Sequence, residues 1–103
     1  MSPTAKTASV KLVTIISPSE FAESLAKELL SLGVTGYTWT TAEGRGIHGP
    51  RHRGIVEANV RLEVVTQPAL ARKILDLVAT THADDAMLAY AMDVEAVPQK
   101  RFA

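Results

Sequence analysis

The stretch Ala58 to Val65 alternates without a fault. Ala58, Val60, Leu62 and Val64 are apolar, and Asn59, Arg61 and Glu63 between them are polar. In an extended chain successive side chains leave opposite faces, so this segment is a strand with one covered side and one different side. That pattern suits an antiparallel sheet with helices packed against a single face.

The other segments arrange themselves around that strand. Ser9 to Ile16 is β-branched and nearly continuous in apolar residues, which fits a strand covered on both faces. Ser17, Pro18 and Glu20 then read as an N-cap, a first helical position and a capping-box partner. The helix they open carries Phe21, Leu25, Leu29 and Leu32 on one stripe and is closed by Gly33 as a left-handed cap. Val34 to Thr41 is the second strand. After the third strand, Thr66 or Gln67 caps a second helix with Pro68 in its first turn, and Leu70, Ile74, Leu77 and Val78 form its stripe to about Thr81. Ala86 to Val94 is the fourth strand, with Leu88, Tyr90, Met92 and Val94 on one face, and Pro98 ends it.

The order is βαββαβ, an α+β ferredoxin-like sandwich with both helices on one side of the sheet. Residues 1–8 read as a flexible lead-in and residues 9–103 as one domain. The face away from the helices is expected to mix Val13, Ile15, Val65, Met87, Ala89 and Ala91 with Lys11, Asn59, Arg61, Glu63 and Asp93. Such a face is too apolar for water and suits an assembly surface.

Strands two and three are joined by a long connection, Ala42 to Val56. Gly44, Gly46, Gly49 and Gly54 lie in it, with Arg45, Arg51 and Arg53 and with His48 and His52 spread among them. Hairpin connections are usually two to five residues, and longer ones are commonly functional. Glycines let backbone N–H groups converge on a point, and arginines add forked cationic donors, so this segment suits an anion such as a phosphate. Gly49 and Pro50 between the two histidines disfavour a helical metal pair, and no metal site is expected. His82 is expected to meet helix carbonyls, and Trp39 to be packed in its strand.

Formal charge is zero, which implies no general attraction to nucleic acid or membrane. There are no cysteines, so disulfides, thiolate metal sites and Cys nucleophiles are excluded. No apolar run approaches the ~20 residues of a membrane span, and Met1 to Ala8 lacks the apolar centre of a signal peptide, so a cytoplasmic protein is expected. Asn59, Arg61 and Glu63 offer no aromatic platform for RNA bases.

The combination of Gly33-Val34-Thr35-Gly36-Tyr37-Thr38, Gly44-Arg45-Gly46 and Val60-Arg61-Leu62-Glu63-Val64-Val65 resembles the PII signalling proteins, over nearly all of residues 9–102. Within that family the chain is similar to the PII-like proteins of inorganic-carbon metabolism, the SbtB and carboxysome-associated branch. The resemblance implies a homotrimer, with adenine nucleotides (ADP or AMP) and bicarbonate as regulatory ligands in the clefts between subunits. The connection over 42–56 would be the T-loop, which docks on a protein partner such as a bicarbonate transporter or carboxysome component. It implies a non-enzymatic signalling role. Weak nucleotide phosphate hydrolysis in the same cleft and a copper-tolerance-type trimer without nucleotide are the alternatives.

Carried over residue by residue, the resemblance gives Thr38 and the strand backbone near Val65 to the adenine. Gly44, Arg45 and Gly46, with Lys100 or Arg101, go to the phosphates, and Arg45 or Arg61 to bicarbonate. The chain departs from nitrogen-control relatives in three ways. Thr81 to Asp85 lacks the glycine and lysine of their phosphate loop, which favours a nucleotide with fewer phosphates. Ala42 to Val56 contains no tyrosine for uridylylation, and no glutamine for 2-oxoglutarate. With no cysteine in the sequence, redox control through the two-cysteine C-terminal hairpin of some SbtB relatives is not expected.

Overall fold

A computed structural model of the chain describes residues 4–44 and 57–102. Four strands, β1 (Ala8–Pro18), β2 (Thr38–Gly44), β3 (Glu57–Thr66) and β4 (Leu88–Ala96), form one antiparallel sheet in the order β2-β3-β1-β4. Two helices, α1 (Ala22–Leu32) and α2 (Pro68–Thr80), complete the βαββαβ order. The ferredoxin-like α+β expectation holds. Most of the connection over 42–56 lies outside the described residues; Ala42 to Gly44 belong to β2.

Register decides the core. Val13 pairs with Val64 and Ile15 with Leu62, and directly opposed residues of an antiparallel pair share a face. On the other side of β1, Val13 pairs with Ala91 and Ile15 with Ala89. These residues pack with Ala22, Leu25 and Leu29 of α1 and Ala71, Ile74 and Val78 of α2 in one cluster. Val13, Ile15, Met87, Ala89 and Ala91 therefore face the helices, against the sequence expectation. Leu88, Tyr90 and Met92 change sides with them: they lie on the open face beside Leu12, Ile16 and Val65. Side-chain size was misleading on β4, because the short side lies under the helices and the bulky side is exposed. The open face remains apolar, with Leu88 at 60% and Met92 at 52% exposure.

Four strand ends also move. β1 continues through Ser17 and Pro18, which pair with Val60 and Asn59, so Ser17 is a buried strand residue and no cap. Its hydroxyl donates to the Pro18 carbonyl, 2.9 Å away. A 3₁₀ turn, Ser19–Phe21, then leads into α1. Two extra ladder rungs outweigh a capping box, because pairing satisfies backbone groups that a lone cap leaves open. β2 starts at Thr38 rather than Val34, since Val34 is tied to the end of α1: its N–H donates to the Leu29 carbonyl at 3.1 Å. At the other end of the chain β4 begins and finishes two residues later than the alternation suggested. Trp39, expected to be packed, pairs with Leu62 on the edge strand and is 40% exposed.

Gly33 ends α1 as expected, with φ at 109°, a left-handed conformation. A side chain there would meet nothing within 4 Å, so the objection to one is purely conformational. Gly33→Ala should lower stability by about 1 kcal/mol, measured by chemical denaturation. An unchanged midpoint would show that this turn relaxes freely.

Candidate nucleotide-binding cleft

The end of the sheet where β2 begins carries a cleft of about 800 Å³. One wall is the turn after α1: the left-handed cap at Gly33 redirects the chain so that Thr35, Gly36 and Tyr37 lead along the cleft to Thr38. β3 supplies Glu63 and Val65; register sets Thr38 opposite Glu63 and Leu12 opposite Val65. The start of α2, with Gln67 before it, contributes Gln67, Leu70 and Lys73. A C-terminal 3₁₀ turn, Gln99–Phe102, brings Arg101 and Phe102.

That last turn is tied down at several points. The Gln67 side-chain amide donates to the Phe102 carbonyl. The Gln99 amide donates to the Thr7 carbonyl at 3.1 Å, and the Arg101 N–H to the Pro98 carbonyl at 3.1 Å. Gln67 occupies the N-cap position of α2 without making a side-chain cap bond. Its amide is spent on the C-terminus instead.

Thr38, Val65 and Arg101 from the expected set therefore meet in one cleft. Lys100 sits in the same C-terminal turn without lining it. Gly44 lies six residues farther along β2, about 20 Å from Thr38 at the rise of a strand, and does not line the cleft. Arg45 and Gly46 are outside the described residues. Arg61 is on the open face, its Nε 3.3 Å from the Glu63 carboxylate, and is likewise no part of the cleft wall. Sequence reasoning missed Thr35, Gly36, Gln67 and Lys73. The first two belong to the quoted glycine motif; Gln67 and Lys73 look in sequence like a helix cap and a solvated helix face.

His82 is not at the cleft. It is buried, with Nε2 2.8 Å from Glu28 of α1 and Nδ1 2.8 Å from Asp85. Two carboxylate acceptors, one on each ring nitrogen, are satisfied together only by the imidazolium. Burial pulls its pKa down, but the bonds to Asp85 and Glu28 outweigh it and the net shift is upward. The expectation that His82 meets helix carbonyls is replaced by this clamp. Among the described residues no cluster could hold a metal ion, and no helix is long and apolar enough to cross a membrane.

The family model for nitrogen regulatory protein P-II matches residues 10–101. The chain belongs to the P-II family. The matched family is thus P-II and not the copper-tolerance one that shares its topology. No curated protein matches the chain. Among solved structures, a PII-like signalling protein of Thermus thermophilus is 31% identical, with 95% of this chain and 99% of that one covered and a TM-score of 0.79. CPII, a nitrogen regulatory PII-like protein of Thiomonas intermedia solved with ADP, AMP and bicarbonate, is 21% identical, covers 88% and 96%, and has a TM-score of 0.76. The B. subtilis GlnK–ATP complex is 19% identical, covers 87% and 85%, and has a TM-score of 0.61. At those lower identities CPII and GlnK share the P-II fold with this chain.

Proposed function

We propose that this P-II protein is a non-enzymatic sensor of adenine nucleotides. It binds ADP or AMP, together with bicarbonate, in clefts completed by a second copy of the chain. The observation that carries this reading is the cleft itself. Thr38, Val65 and Arg101, drawn from three separate segments by the resemblance alone, line a single cavity large enough for a nucleotide. The neighbour CPII, solved with ADP, AMP and bicarbonate, supports the choice of ligands.

The open face supports a homotrimer. Leu88, Met92, Tyr90 and Val65 form an exposed apolar patch larger than scattered surface residues account for. The segment between Gly44 and Glu57, whose ends are held together by ladder pairing, would act as the T-loop on a protein of inorganic-carbon metabolism. A bicarbonate transporter or a carboxysome component is the proposed target, as in the SbtB branch. Gly44, Arg45 and Gly46 would add phosphate contacts only from the second copy that completes the cleft, with Lys100 as a further cation and Arg45 for bicarbonate; Arg61, outside the cleft wall, is not given that role.

Calorimetric titration tests this. ADP should bind with micromolar affinity, about 8 kcal/mol, and bicarbonate should tighten it. An absence of heat at millimolar ADP, with and without bicarbonate, removes the reading.

A further inference from the structure

Residues 81–86, the turn between α2 and β4, hold two features that the nucleotide reading does not use. The first is the buried His82, held on Nε2 by Glu28 of α1 and on Nδ1 by Asp85 of its own turn, both at 2.8 Å. Those two are the charged groups that act on the ring. The 3₁₀ turn before α1 meets it with the uncharged Phe21, ring centroids 6.4 Å apart. The second feature is Ala86, at φ 56°, the only non-glycine residue with a left-handed backbone among those described. A Cβ at that angle crowds the carbonyl oxygen that follows it, so the turn keeps the angle only while its surroundings enforce it.

The turn is closed on itself by the Asp85 N–H, which donates to the His82 carbonyl at 3.1 Å, and is joined to α1 by the Glu28 bond. Beyond Ala86 the chain enters β4, an edge strand paired with β1 alone, whose first rung sets Leu88 opposite Ile16. An edge strand can fray at its end while the centre of the sheet stays paired. A neutral imidazole carries one N–H, so on losing its proton His82 turns a lone pair toward one of the two carboxylates. One arm of the clamp is then repulsive, and nothing in the ring opposes relaxation at Ala86.

We propose that His82, Glu28 and Asp85 form a proton-operated latch that holds the strained turn at Ala86 shut, and with it the entrance of β4. Opening is local: residues 81–90 loosen while the paired centre of the sheet stays closed. The bonds to both carboxylates raise the ring above its ordinary 6.5 in the folded chain. The latch is therefore complete in mildly acidic solution and is released as pH rises through the raised value. It acts without nucleotide and goes beyond the sensor reading above.

The test is amide hydrogen exchange of the full chain, mapped by peptide and divided by the intrinsic rate at each pH. In wild type, protection over residues 81–90 should fall about tenfold between mildly acidic and alkaline solution, while peptides across Val13 to Ile15 keep theirs. His82→Gln has no proton to lose there, so its protection over 81–90 should be low at the acid end and flat across the range. Glu28→Gln should lower the pKa of the ring, read by NMR, and move the fall in protection to lower pH. Ala86→Gly is free of the penalty at that angle and should keep its protection on the alkaline side. Flat protection in wild type, a ring that titrates below 6.5, or a fall shared by the Val13 to Ile15 peptides would each overturn the latch. So would a wild-type fall in His82→Gln, or Ala86→Gly opening as wild type does. The wild-type profile needs no substitution, so a variant that fails to fold leaves the test intact.

Discussion

Replacing Ile15 by alanine is expected to destabilise the protein by about 2–5 kcal/mol. Ile15 is fully buried, between Leu62 of β3 and Ala89 of β4 and under the helices. The lost methyl groups leave a void that the paired backbone around them cannot close. Leu30, also aliphatic but 52% exposed on α1, makes the control. Leu30→Ala should stay within about 0.5 kcal/mol of wild type. Urea denaturation of both at one fixed protein concentration gives the comparison, since the proposed assembly would make stability concentration-dependent. If the two variants unfold alike, Ile15 does not face the helices and the register described for β1 is wrong.

The second large effect concerns the clamp between α1 and the turn after α2. His82→Ala removes an imidazolium that holds Glu28 and Asp85 at 2.8 Å each. Two carboxylates then face each other across the gap, partly but not wholly reached by water. Breaking a buried pair in this way costs about 3–5 kcal/mol when burial is complete, and about 2 kcal/mol is expected here, where the imidazole is buried but the two carboxylates are partly exposed. The Phe21 ring, 6.4 Å from the imidazole, also loses its neighbour. The pH dependence has a definite sign. The folded pKa of His82 lies above its ordinary value of 6.5. The clamp therefore contributes fully below that value and is lost as pH rises through the raised one. The gap in stability between wild type and His82→Ala should be widest in mildly acidic solution and narrow on the alkaline side. A gap that widens with pH would mean that the ring is neutral in the folded chain.

Much of the fold is written locally. Pro68 opens α2, Gly33 closes α1, and the alternation of Ala58 to Val65 marks which side of β3 is covered; each needs only its immediate neighbours. The faces of β1 are not written in that way, because Val10, Leu12 and Ile16 are as apolar as Val13 and Ile15. Only pairing with Val64 and Leu62 separates them, and pairing is a long-range fact. Ser17 shows the same limit: its side chain and its successors describe a helix cap, yet rungs to Val60 and Asn59 carry the strand past it. At the cleft, Thr38, Val65 and Arg101 were legible through likeness to known sequences. Lys73 and Gln67 were not, since their place in the wall depends on a C-terminal turn that folds back onto the start of α2 from far along the chain.

One small feature couples architecture to use. Gly33 both stops the first helix and stands in the wall of the cleft, where the turn it creates delivers Thr35 through Thr38. Anyone redesigning the chain for heat resistance by stiffening glycines would be reshaping the cleft wall at that position as well. Helix termination and cleft shape there draw on a single torsion angle, and neither can be tuned without disturbing the other.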